Sequence, residues 1–125
     1  MKNNIIRIMR IILCIFYIAF IFHMTLCNRS VSAEYIFYGP FWEIREHMWG
    51  DIIKNIVLFI PLGAIIGGRK CVIIGFLLSC GIEITQYFLR LGYCEIDDVL
   101  NNTIGTIIGA LINLLIVYRY SKLLK

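Results

Sequence analysis

Four apolar stretches, each close to the length that crosses a bilayer, govern what this chain can fold into. They cover residues 11–27, 52–68, 71–91 and 98–118. As helices rising 1.5 Å per residue, about 20 residues span a hydrocarbon core of roughly 30 Å. The first stretch reaches that length with help from the apolar residues just before it. Inside lipid every backbone amide must find its partner within the protein, which leaves helices and closed barrels. The alternating ten-residue segments of a barrel are missing. The chain is 60% hydrophobic and only 16% charged, against about one quarter charged in soluble domains. A soluble fold, a disordered tail and a nucleic-acid-binding arm are thereby excluded. The expected architecture is all-α: a polytopic membrane protein with four transmembrane helices in a small bundle, forming one domain over residues 1–125.

Charge sorts by side. Lys2, Arg7, Arg10, Arg69, Lys70, Arg119, Lys122 and Lys125 fall at the end of the bundle that holds both termini, with no acidic residue among them. Arg29, Arg45, Lys54 and Arg90, together with Glu34, Glu43, Glu46, Asp51, Glu83, Glu95, Asp97 and Asp98, fall at the other end or in the adjoining halves of spans. Basic residues mark the cytoplasmic side. The expectation is a multi-pass protein of the cell membrane with both termini cytoplasmic, whose basic face also meets anionic lipid. A basic start, an apolar run and Val31-Ser32-Ala33 resemble a secretory signal with its cleavage site. The apolar run ends well short of that site, so an uncleaved first helix is expected.

Residues 28–51 form the one sizeable loop. Trp42, Met48 and Trp49, interleaved with charges, suit a short amphipathic helix at the outer surface, or a lid carrying Glu43, Arg45 and Glu46 over a polar pocket. Cys27 and Cys94 lie near the outer boundary, where a disulfide is chemically allowed, but no paired spacing or zinc motif supports a framework. His23 and His47 stand alone and read as interfacial or solvated groups.

Ionisable residues within a span cost at least about 2.5–3.5 kcal/mol near the bilayer centre and face the protein interior. Glu83, Gln86 and Arg90, spaced i, i+3, i+7, occupy one helical stripe about 60° wide. Asp98, Asn102, Gly105 and Gly109 likewise share a face of the fourth helix, the glycines permitting close approach of a neighbour. Asn55 opens the second helix, and Pro61 with Gly63 interrupts it, freeing the carbonyl of Val57. Glu83 lies about 18 Å from the cytoplasmic edge. Three helices therefore bring polar residues to one level, below the outer headgroups, and the reading is a polar pocket open outward. Its candidate ligand-binding residues are Asn55, Glu83, Gln86, Arg90, Asp98 and Asn102, while Pro61, Gly63, Gly105 and Gly109 serve helix packing. The competing reading is that these side chains only cross-link helices.

Asn55-Ile56-Val57-Leu58-Phe59-Ile60-Pro61-Leu62-Gly63 resembles the N-x-x-L-F-x-P-x-G segment of VanZ-like membrane proteins. Glu83-Ile84-Thr85-Gln86 and the run from Glu95 through Asp98, Asn102, Thr103 and Gly105 to Gly109 resemble that family's E-x-x-Q … D-x-x-D-x-x-x-N-T-x-G-x-x-x-G. Thr25, Arg29 and Pro40-Phe41 are further, weaker matches. An arginine common in the family between these motifs falls at Gly92 here, with Arg90 two residues earlier to substitute by its reach. The resemblance spans residues 11–118. Since the family's namesake is linked to low-level teicoplanin resistance, it implies a cell-envelope protein of that kind.

Two functions follow as expectations. The first is an accessory protein without turnover, binding a membrane lipid, a lipid-linked cell-wall precursor or a glycopeptide in the outer pocket. The second is an intramembrane enzyme acting on a lipid-linked envelope substrate, with Glu83 or Asp98 as general base and Arg90 stabilising an anion. No nucleophile–histidine pair, metal motif or phosphate loop is visible. The acidic run Glu95, Asp97 and Asp98 has the chemistry to hold a divalent cation through water, but capping and the helix dipole account for it equally. No catalytic residue, metal or cofactor is assigned.

Overall fold

The structure is a computed structural model that describes residues 2–27, 29–31 and 34–123. Ser32 and Ala33 of the candidate cleavage segment, and the basic Lys125, lie outside the described residues. Helix α1 runs Lys2–Phe22 and continues through one wider π turn, His23–Cys27. A three-residue strand β1, Ile36–Tyr38, and a four-residue helix α2, Trp42–Arg45, occupy the loop. Helix α3 spans Trp49–Ile66 and α4 spans Lys70–Leu89. Strand β2, Tyr93–Glu95, leads directly into α5, Ile96–Leu123.

Among the described residues, four helices are long and apolar enough to cross a membrane. Their packing is that of a lipid-embedded protein. The fully buried apolar cluster is small, Ile21, Phe59, Leu62 and Ile82. Large apolar side chains such as Phe16, Ile73 and Leu114 point outward, while Glu43, Ser79, Glu83, Gln86, Asn102 and Thr106 are buried. Lipid tails offer as favourable a home to leucine as a protein core does, so burial is reserved for close backbone contact and polar pairing.

The tightest contact is between α3 and α5. A Cβ on Gly105 would overlap the carbonyl of Ile56, one on Gly109 the carbonyl of Ile60, and one on Gly63 the carbonyl of Thr106. Only glycine lets these two backbones approach so closely. Asn113 Nδ2 donates to the carbonyl of Ala64 at 2.8 Å and ties the same pair nearer its other end. Pro61 lies within α3. Tyr17 Oη on α1 donates to the carbonyl of Leu58 at 2.8 Å, in the turn whose hydrogen bonding the proline disturbs.

At the opposite end from the termini, two distant loops are clipped together. β1 pairs in parallel with β2, with Ile36 opposite Tyr93 and Tyr38 opposite Glu95. Tyr38 stacks on Trp42 at 4.2 Å between ring centroids and meets Tyr93 edge-on. The clip holds the segment carrying α2 over the start of α5. The surface helix expected in the loop is thus a single turn, and all five cysteines are free.

Candidate functional site

The site is built around the first turn of α5. Asp97 and Asp98 stand there, where unpaired amides and the helix dipole favour negative charge. The two carboxylates diverge. Asp97 turns toward α2: the amide of Phe41 donates to its Oδ1 at 2.6 Å and the amide of Glu43 to its Oδ2 at 2.9 Å. Phe41 adopts a left-handed backbone, φ 65°, a conformation that costs a bulky side chain about 1–2 kcal/mol and that the Asp97 carboxylate holds in place. Asp98 turns the other way and accepts a hydrogen bond from Asn55 Nδ2 on α3.

Three further carboxylates converge on Asp98. Glu43, delivered by α2 and almost wholly buried, accepts from Asn101 Nδ2 at 2.5 Å. Glu83, from α4, is buried, and its Oε2 accepts the amide of Glu95 at 3.0 Å. Glu95 itself ends β2. Carboxylate oxygens of Glu43, Glu95 and Asp98 all lie within 4.8 Å of one another, close enough to share a proton or enclose a small cation. Above them opens a cavity of about 220 Å³, bounded by these three acids and by Arg29, Asn55 and Tyr93. Met48 and Asp51 complete its rim, and Asp51 is paired with Lys54 at 2.9 Å.

Arg29, itself exposed, is the cation lining this cavity, and among the described residues no direct ion pair joins it to the acids. Its charge acts on Glu83, Glu95 and Asp98 together. A Cβ at position 92 would meet its Nη1 at 3.0 Å, so Gly92, with φ 114°, leaves room for the guanidinium. One cation does not neutralise so many acids. Burial, and then the neighbouring Asp98, Glu95 and Asp97 carboxylates, push Glu43 up to about 8, with the Asn101 amide opposing. Burial and then Asp98 raise Glu95 to about 7, against the pull of Arg29. Protons therefore remain in the cluster at neutral pH, and the cavity wall both donates and accepts hydrogen bonds.

The sequence profile of the VanZ/LLP1 family matches residues 11–117, nearly the whole chain. The chain belongs to the VanZ/LLP1 family. Protein VanZ of Enterococcus faecium is 34% identical over 67 residues, an alignment covering 47% of this chain and 41% of that protein. The chain thus aligns with less than half the length of this curated relative. No solved structure matches the chain.

The residues named from the sequence fall into three groups in this family member. Asn55 and Asp98 come together at the cavity, and Glu83 lies next to Asp98 without lining the cavity. Gln86 and Asn102 are buried close by in the chain but tie helices. Gln86 Nε2 donates to the carbonyl of Thr25 at 3.0 Å, and Asn102 Nδ2 to Ser79 Oγ at 2.8 Å. Their carbonyl oxygens, Gln86 Oε1 and Asn102 Oδ1, are buried with no hydrogen-bond partner. Arg90 stands apart from the cavity. It caps α4 with a left-handed backbone, φ 55°, lies over the Tyr35 ring at 4.3 Å and donates to Tyr35 Oη at 3.1 Å.

Arg29, Glu43, Glu95 and Asp97 complete the arrangement, and none was among the ligand-binding residues read from the sequence. For Arg29 the family resemblance had provided a weak signal. For Glu43 the signal was a carboxylate set among Phe41, Trp42 and Ile44, an apolar surround that a purely solvated loop does not need. Arg45 and Glu46, its companions in the expected lid, are exposed.

Proposed function

We propose that this chain acts at the cell envelope by binding a lipid headgroup or lipid-linked molecule in the cavity at the acidic end. In this reading the basic end, with both termini, faces the cytoplasm, and the cavity opens to the exterior just below the headgroups. One observation supports it above the others: buried carboxylates from α2, β2 and α5 meet at an open cavity that Arg29 also lines. Helix cross-linking alone needs neither the cavity nor so many acids, since each interhelical hydrogen bond averages only about 0.6 kcal/mol. The balance of charge favours a ligand rich in hydroxyl or ammonium groups, with one anionic group for Arg29. A lipid-linked cell-wall precursor or a lipoglycopeptide has such chemistry. Altered teicoplanin susceptibility is then the expected consequence of expression.

The experiment compares Asp98→Asn and Glu83→Gln with the unaltered chain in an overexpressing host, measuring membrane abundance and teicoplanin susceptibility together. Normal abundance with loss of the susceptibility change supports the site. Loss that merely follows abundance sinks it in favour of helix cross-linking. A second reading, an intramembrane enzyme on a lipid-linked substrate, draws on the mutual approach of Glu43, Glu95 and Asp98, an arrangement suited to proton transfer. Incubation of purified protein with envelope lipids tests it: a new lipid species by mass spectrometry supports turnover, and unchanged lipid rejects it.

A further inference from the structure

The basic end of the bundle carries three apolar grooves with an arginine at each, and this end is separate from the acidic cavity. The first groove lies between α1 and α3, with Asn113 of α5 at its edge. It holds about 830 Å³ and is lined chiefly by Leu13, Phe16, Pro61 and Ile65, with Arg10 as its cation. A second groove of about 370 Å³ opens on the other side of α1 and again includes Arg10. A third, of about 530 Å³, lies between α4 and α5 beside Arg69. α1 packs on the core through Tyr17, Ile18 and Ile21. Its other half leaves the two flanking grooves, and it has the least buried span of the four.

Arg10 is anchored, and among the described residues it has no counter-ion. Its Nε donates to the carbonyl of Ile65, which fixes the guanidinium near the end of α3. Among the described residues no carboxylate pairs with it. The sequence places no Asp or Glu in residues 1–33, 52–82 or 99–125, so none is within reach at this end. The lining residues Ile6 to Phe16 cover about 15 Å of helix, half of a roughly 30 Å hydrocarbon core and thus the depth of one leaflet.

We propose that the groove between α1 and α3 is a binding site for an anionic glycerophospholipid of the leaflet at the basic end. One acyl chain fills the groove, and the phosphate takes the Arg10 guanidinium, whose planar fork matches phosphate oxygens. A net negative headgroup is preferred because Arg7, Arg69, Lys70 and Arg119 belong to the same end, and the ammonium of a zwitterion would sit against them. The lipid completes the packing of α1, which the protein alone leaves open.

Native mass spectrometry of the full chain in detergent tests this, with equimolar phosphatidylglycerol and phosphatidylcholine of identical acyl chains. Phosphatidylglycerol should be retained about fivefold over phosphatidylcholine, the scale of one basic side chain at an anionic surface, and Arg10→Gln should bring the ratio near parity. Leu13→Trp, which fills the groove and leaves Arg10 in place, should reduce retention of both lipids. Equal retention by the unaltered chain overturns the proposal, as does a preference that survives Arg10→Gln. If Arg10→Gln does not fold, Leu13→Trp decides: undiminished retention in that variant places the lipid elsewhere and rejects the groove.

Discussion

Removing the Asp97 carboxylate should release α2 from the bundle while leaving the four long helices in place. Asp97 is 5% exposed and accepts two backbone amides, from Phe41 and Glu43, at 2.6 and 2.9 Å. Hydrogen bonds to a charged group contribute about 1.5–3 kcal/mol each, and buried donors left unpaired cost a similar amount. The left-handed Phe41 would relax once released, which adds to the gain on opening. Water recovers part of this for the freed amides, so Asp97→Ala should lower the free energy of local opening by about 3 kcal/mol. At about 1.4 kcal/mol per tenfold, amide exchange over residues 41–48 should then accelerate roughly a hundredfold. Hydrogen–deuterium exchange with mass spectrometry, on protein in lipid nanodiscs, reads this directly. Asp97→Asn keeps one acceptor and should fall midway. Peptides from α4 should exchange as before. An acceleration below about threefold over residues 41–48, with intact helices, would refute the claim that Asp97 holds α2 in place.

Other consequences are equally specific. Gly109→Leu should destabilise the bundle by about 1–3 kcal/mol through overpacking at the α3–α5 crossing, seen as a lower thermal midpoint in detergent, with Gly105→Ala next in severity. Tyr17→Phe should cost about 1 kcal/mol by removing the hydrogen bond to Leu58, measured in the same assay. Glu43 and Glu95 are raised to about 8 and about 7 in the folded protein. Between the ordinary carboxylate range and these values the unfolded chain ionises and the folded one does not. The folded state then binds more protons, and stability falls as pH rises from about 5 to about 8. The thermal midpoint should decline across that window, and Glu43→Gln should flatten the decline.

What the sequence made legible, and what it did not, divides along a physical line. The four spans followed from apolar length alone, because only helices satisfy a backbone in lipid. Asn55, Glu83 and Asp98 could be grouped because each sits on a regular helix, where phase and rise fix position. Arg90 shows where that logic stops. The helical stripe extends to it only if the helix does, and the left-handed turn at this residue carries the side chain out to Tyr35. Arg29 and Glu43 lie in loop segments with no periodicity to read. Their positions depend on the β1–β2 pairing, a contact between segments more than fifty residues apart in the chain. Asp97 and Asp98 were legible as helix-capping acids, but which neighbour each would face was not, since that choice depends on where the loop folds back.

The proposed site depends on the exposed Arg29 side chain lining the same cavity as Glu43, Glu95 and Asp98. The most direct test is zero-length carbodiimide coupling in an Arg29→Lys variant, followed by peptide mapping. The account predicts an amide bond from the introduced amine to Glu95, Glu83 or Asp98. Coupling only to Glu34, or to no residue of the chain while Lys54 couples to Asp51, would contradict it.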